Sequence, residues 1–333
     1  MKNLSFIAML LMFGLFAACE TEIPFNGTES DPVLVVNSLI CTDSVIQANI
    51  TSSRFFLSNE NTFKVVANAT VALYVNGSFQ ENLTDQGQGT YRGQYVSKEG
   101  DALRLNVSAT GYQAVWTETT MPYKVSGFQI DSTITKTDTT LIIQARGYGG
   151  GYLGGYNDPI QYDTLGKTYS DIYQYKIQFS NVSGVSDFYR LIVKQTTSSF
   201  GFTTVSYQSD FDDIVFGTKK TNMDGAFMES KLDRYNIFSD ELIDGKTHTI
   251  TVKVSIDHNK FYDMVDTTTY AHRVTIDLQS ISKDYYLYLK SLKALEIADP
   301  FMSEPVQIYT NVTGGLGIVG ARTNQQREFV LPE

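Results

Sequence analysis

Three groups of side chains have types and spacings that bear on chemistry. Tyr148, Tyr152 and Tyr156 recur every four residues within the glycine-rich run Gly147–Tyr156. Glycine opposes a stable helix, so the spacing is not a helical stripe. An aromatic loop on a rigid β scaffold offers large contact area at small entropic cost. It suits sugars, peptides or the loops of a partner; the alternative is that the tyrosines pack on their own domain. Tyr162 and Tyr169 extend the same candidate patch. The second group is the only three histidines, His248, His258 and His272, with Asp257, Asp263 and Asp266 near the middle one. His248 and His258 are ten residues apart and need not meet, so no metal site is expected. The third group is acidic. Asp212 and Asp213 are adjacent, and adjacent strand residues point to opposite faces, so they cannot flank one glycosidic bond. The Asp-rich stretch 224–244 lacks the Asp-x-Asp-x-Asp-Gly loop of a calcium site. Neither Gly-x-Ser-x-Gly nor His-Glu-x-x-His occurs. No catalytic residue and no cofactor are expected.

These groups sit in an acidic chain. Its 333 residues carry 26 Lys plus Arg against 36 Asp plus Glu, a net charge of -10. That balance excludes a nucleic-acid coat, which needs a basic surface. Two cysteines exclude a disulfide scaffold and a Cys-rich metal site. There are 21 Tyr and 20 Phe but a single Trp.

The N-terminus carries Lys2, then an apolar run to Ala18 that is short for a membrane span and reads as a signal peptide, residues 1–18. Leu15-Phe-Ala-Ala-Cys19 resembles a bacterial lipobox, in which the cysteine is lipidated and becomes the first mature residue. Phe16 departs from the usual Leu. Glu20-Thr-Glu22 resembles the acidic signal for surface export in Bacteroidota lipoproteins. Residues 19–32, with Pro24, Gly27 and Pro32, read as a tether. Cys41, in the apolar run Val33–Cys41, reads as a buried structural thiol.

The elements that must position the candidate groups are mostly β. Residues 33–122 hold six or seven short alternating strands, among them Ala69–Val75 and Leu103–Val107. Asn76-Gly77 predicts a type I′ hairpin. The pattern predicts an antiparallel sandwich of immunoglobulin or transthyretin-like type. Residues 123–333 form a larger β-rich domain. Strands are expected at Val125–Ile130, Thr139–Ala145, Asp171–Phe179, Phe188–Gln195, Thr247–Asp257 and His272–Leu278. Ser239-Asp-Glu241 carries helix-start chemistry. One helix, near 283–297, is capped by Ser282, and its apolar face needs the sheet of this region as cover.

The chain end, Pro305-Val-Gln-Ile-Tyr-Thr-Asn311-Val-Thr-Gly-Gly-Leu-Gly-Ile-Val-Gly320, puts a Pro-Val strand and a glycine cluster after that lone helix. This resembles the closing motif of a Bacteroidota lipoprotein family called domain of unknown function 4249. Cys19–Phe25, Leu34–Asn37, Asn68–Val71 and Phe238–Gly245 fit it too, in the same order. The resemblance implies no catalytic residues. By analogy with neighbouring lipoprotein systems it implies an outer-membrane, surface-exposed accessory of a TonB-dependent β-barrel transporter, active in nutrient capture. A structural or adhesive surface module is the alternative. On physical grounds the glycines Gly314, Gly315, Gly317 and Gly320 allow a bulge or a close approach of backbone to the helix.

Overall fold

The computed structural model describes residues 30–55, 62–145, 162–199, 202–209, 211–217, 234–261, 271–298 and 304–331. In chain order the strands begin with β1 (Leu34–Cys41), β2 (Val45–Ser52), β3 (Thr70–Val75), β4 (Ser78–Asn82), β5 (Thr84–Asp85), β6 (Thr90–Val96), β7 (Ala102–Ser108) and β8 (Val115–Thr120). Then come β9 (Ser126–Ala145), β10 (Tyr162–Ser180), β11 (Phe188–Ser199), β12 (Phe202–Gln208), β13 (Ile237–Ser239), β14 (Thr247–Phe261) and β15 (Ala271–Ile281). Helix α1 (Lys283–Ile297) precedes β16 (Val312–Thr313) and β17 (Leu316–Leu331). The described chain is mostly β, in several sheets with one C-terminal helix, as the strand texture predicts.

Period-two alternation decides which face of each strand is buried. In β3, β7 and β8 the inward residues are Val71, Leu73, Leu103, Leu105, Val107 and Val115, each at most 2 % exposed, while their sequence neighbours face out. Asn76 and Gly77 both have positive φ, as a type I′ turn requires. Ser282 accepts from the Tyr285 amide and caps α1. The helix lays Tyr285 and Leu289 against Ile237 and Ile281.

Three sheets result. The largest has nine strands along the path β12-β11-β15-β17-β1-β2-β6-β5, with β13 beside β11. A five-stranded sheet runs β16-β8-β7-β3-β4, and a three-stranded sheet runs β14-β10-β9. One core lies between β1, β2 and β6 and the five-stranded sheet; it takes Val319 and Ala321 from β17. A second core lies between β11 and β15 and the three-stranded sheet; it takes Leu331 from β17. Val319, Ala321 and Leu331 are spaced by even numbers, so they share one face of β17. Both smaller sheets therefore cover the same face of the large sheet. Helix α1 covers the other face, where a side chain at Gly320 would meet Tyr285.

The large sheet crosses the expected boundary at 122/123. β17 pairs in parallel with β1 over Val35–Cys41 and antiparallel with β15 over His272–Ile281. The connector between the sandwiches is fastened to it as well. Gln325 accepts from the Val125 amide at 2.9 Å and donates to the Val125 carbonyl at 3.1 Å. Thr323 donates to the Pro122 carbonyl at 2.7 Å. Residues 33–122 thus form the greater part of a sandwich whose last strand comes from the end of the chain.

Several expectations are corrected. The two strands expected at Val125–Ile130 and Thr139–Ala145 are one continuous strand, β9. Its polar middle hid it, because most side chains from Asp131 to Thr140 are exposed on both faces. Ser239 ends strand β13 and starts no helix; Ile237 and Phe238 pair with Arg190 and Tyr189. The expected Pro305–Val306 strand is irregular chain, and β16 begins at Val312. Cys41 is a free thiol that is only half-buried. β12 and the full length of β17 were not anticipated.

Candidate functional site

The outward face of the five-stranded sheet holds a shallow trough of about 350 Å3. Its residues follow from register alone. Across β3, β7 and β8 one row reads Thr70, Ser108, and beyond it Ala114; the next reads Ala72, Asn106, Trp116; the third reads Tyr74, Arg104, Glu118. Because the intervening residues of these strands face inward, every member of these rows faces outward. The floor is made of small side chains, the polar Thr70, Ser108 and Asn106 beside the apolar Ala72 and Ala114. Tyr74 and Trp116 rise from the two strands flanking β7, roughly 10 Å apart at strand spacing.

The trough is held by directed contacts. The Arg104 guanidinium lies over the Trp116 ring, 4.5 Å from its centroid. Arg104 Nε donates to Asn106 Oδ1 at 2.9 Å, and Nη1 meets Glu118 Oε1 at 3.2 Å. Tyr74 is braced edge-on by Phe79, with centroids 5.7 Å apart. Trp116, the only tryptophan, is 38 % exposed. Sequence reasoning passed over this site, although the signal was there. The alternation of Leu103-Arg-Leu-Asn-Val107 puts Arg104 and Asn106 on one outward face, and the lone Trp occupies an outward position of the next strand.

The sequence-predicted residues fare differently. Cys19 and the loop tyrosines Tyr148, Tyr152 and Tyr156 lie outside the described residues. On either side of those tyrosines, Ala145 at the end of β9 pairs with Tyr162 at the start of β10. Tyr162 and Tyr169 both lie on β10, about 24 Å apart along the strand. His248 Nε2 meets Asp213 Oδ1 at 2.9 Å, and Asp213 also caps the 3-10 turn Ile214–Phe216. His272 Nδ1 meets Thr197 at 3.1 Å. Among the described residues, no group of three or more His, Cys, Asp or Glu could hold a metal ion. Asp240 and Asp244, from the stretch weighed for calcium, tie loops together. Asp240 accepts from the Asp187 amide at 3.1 Å and Asp244 from the Gly184 amide at 2.9 Å. Burial and the neighbouring Asp240 charge hold the Asp187 carboxyl above its ordinary value.

A second hollow, about 230 Å3, opens between the edge strands β12 and β14, with Tyr207, Gln195 and Lys253 on its walls. It is smaller than the trough and less aromatic.

The helix-covered face of the large sheet carries a buried polar row. Asp277 is 8 % and Gln279 0 % exposed. Gln279 Nε2 donates to Asp277 Oδ2 at 2.7 Å, while Asp277 Oδ1 and Gln279 Oε1 have no partner among the described residues. Burial raises the Asp277 carboxyl above its ordinary value, offset in part by Gln279, Arg322 and Arg190. The folded chain therefore keeps this proton to higher pH than the unfolded chain. Stability falls as pH rises above about 4, the ordinary Asp value, because the carboxylate must ionise in place. Asp277→Asn removes that loss. The variant is expected to melt higher than wild type at neutral pH, with the gap closing on acidification. A variant that melts lower at neutral pH would show that the ionised carboxylate is needed.

Fold and trough together define a double β-sandwich built on one shared sheet, with an open polar–aromatic face. The chain belongs to the family described as Domain of unknown function (DUF4249), whose family model matches residues 20–328. No curated protein matches it.

Proposed function

We propose that this chain is a Bacteroidota outer-membrane lipoprotein, anchored by lipid on Cys19 and exposed at the cell surface. It works without catalysis, as the accessory of a TonB-dependent β-barrel transporter in nutrient capture. The observation that carries this reading is Leu15-Phe-Ala-Ala-Cys19 at the end of an apolar leader. The family membership and the Pro- and Gly-bearing residues that separate Cys19 from β1 support it. The trough supports capture over adhesion, because adhesion needs only a patch while capture needs concavity. The adhesive reading draws on a different feature. Leu141 and Ile143 of the long strand β9 are each 54 % exposed, an apolar pair suited to contact with another protein.

Affinity purification of the full-length protein from its native outer membrane tests the proposal. A TonB-dependent barrel in near-equal amount is expected. A lipoprotein that comes out alone removes the transporter role and moves the adhesive reading ahead. Cys19→Ala tests the anchor separately. Two or three acyl chains hold a protein stably where one does not. The variant is therefore expected to lose fatty-acid labelling and to leave the membrane fraction almost completely. Retention of the unlabelled variant in the membrane would sink the lipid anchor.

A further inference from the structure

We propose that the trough on β3, β7 and β8 is a binding site for a neutral polyhydroxylated ligand, a sugar ring or short glycan. This deepens the capture reading and rests on it. Four observations point to that chemistry. The floor groups Thr70, Ser108 and Asn106 are neutral and offer both donors and acceptors, as a ring of hydroxyls requires. Two aromatic rings line the hollow. Arg104 takes one face of Trp116, so the other face of that ring and the Tyr74 ring are what the weakly positive C–H groups of a sugar would meet. The one cation, Arg104, is paired with Glu118 and bonded to Asn106, so the trough presents no free positive charge for a phosphate or a carboxylate. Its contacts also fix the Trp116 ring in place, so binding need not freeze that side chain.

The position of the trough fits the same conclusion. It lies on the rigid outer face of a sandwich layer, where the inward residues of the same strands are fully packed. The volume of about 350 Å3 stands at the small end of ligand pockets, which run roughly 300–1,000 Å3. An open hollow of that size takes one or two residues of a longer chain and leaves both ends of the chain free.

Trp116 is the only tryptophan, so its emission reports this site alone. The experiment titrates the full lipidated chain in detergent with neutral oligosaccharides of glucose, mannose and xylose, α- and β-linked. Polygalacturonate and a short acidic peptide serve as charged probes. A saturable change in Trp116 emission with at least one neutral oligosaccharide, and with neither charged probe, is the expected result. By calorimetry, Trp116→Ala and Asn106→Ala should each weaken that binding about tenfold or more, and Trp116→Phe should retain most of it. All three should melt within a few degrees of wild type, since these side chains face solvent. The inference is overturned if no neutral oligosaccharide binds, if a charged probe binds better, or if binding survives both alanine variants. The transporter role is judged separately by co-purification. A chain that keeps its barrel but binds no sugar loses only the ligand class, and one that binds sugar without a barrel loses only the transporter.

Discussion

A chain ending at Asn311 is expected not to fold. Removing β16 and β17 takes away the strand that lies between β1 and β15 in the middle of the nine-stranded sheet. Two interior edges are then left with unpaired amides and carbonyls, each costly when it stays buried. Both cores lose residues at once: Val319 and Ala321 from one, Leu331 from the other. The connector loses its clamp, because Gln325 holds both polar groups of Val125. Asn311 loses the Val319 carbonyl it donates to and the Val319 amide it accepts from, and keeps only the Glu118 carbonyl. The measurement is circular dichroism with limited proteolysis of the truncated chain. No cooperative melt and rapid digestion are expected. A sharp transition near that of the full chain would show that the two sandwiches stand without the shared strand.

The second large effect is expected from Gly317→Ala. Gly317 has φ +108, a conformation that costs an L-residue about 1–2 kcal/mol. A β-carbon there would also run into the Val36 carbonyl oxygen and stand 2.8 and 2.9 Å from the Val36 carbonyl carbon and amide nitrogen. Backbone in the centre of a sheet cannot move aside as a flexible side chain can, which adds about 1–3 kcal/mol. The sum is roughly 2–5 kcal/mol, or a melting temperature lower by about 3–7 °C. Gly77→Ala is the control. Gly77 has φ +81 but nothing within 4 Å of the added atom, so only the conformational part remains, about 1–2 kcal/mol. Equal losses at the two positions would mean that φ alone matters and that the contact with β1 does not. Calorimetry of the two variants side by side decides it.

Much of the first sandwich was legible. Strands β3 and β7 bury one face only, so their sequences alternate and announce both the strand and its orientation, while β1 is legible as an apolar run. Helix α1 was legible to the residue, because Ser282 supplies the cap and the apolar spacing follows. The closing glycines were read as a bulge or a close approach. Gly320 against Tyr285 meets the expected approach to the helix, whereas Gly317 lies against the β1 backbone instead. The strand they belong to was not read. In β17 the core-facing positions include Thr323, Gln325 and Arg327, polar side chains that bind the connector and the Ile130 carbonyl. No hydrophobic period survives there, so propensity and pattern had nothing to report. β9 failed for a related reason: with both faces of its middle exposed, it needs no alternation.

The amino-acid sequence by itself determined the local elements: strands with one buried face, the Asn76-Gly77 turn and the capped helix. These depend on neighbours a few residues apart, and periodicity records them. Tertiary structure alone decided that the chain end returns to pair with its first strand. It alone set both smaller sheets on one face of a common sheet and gathered Arg104, Asn106 and Trp116 with Tyr74 around one hollow. Those arrangements depend on pairing between β1 and β17, nearly the whole chain apart, and on cross-strand register. Neither leaves a period in a single strand, because register is a relation between strands.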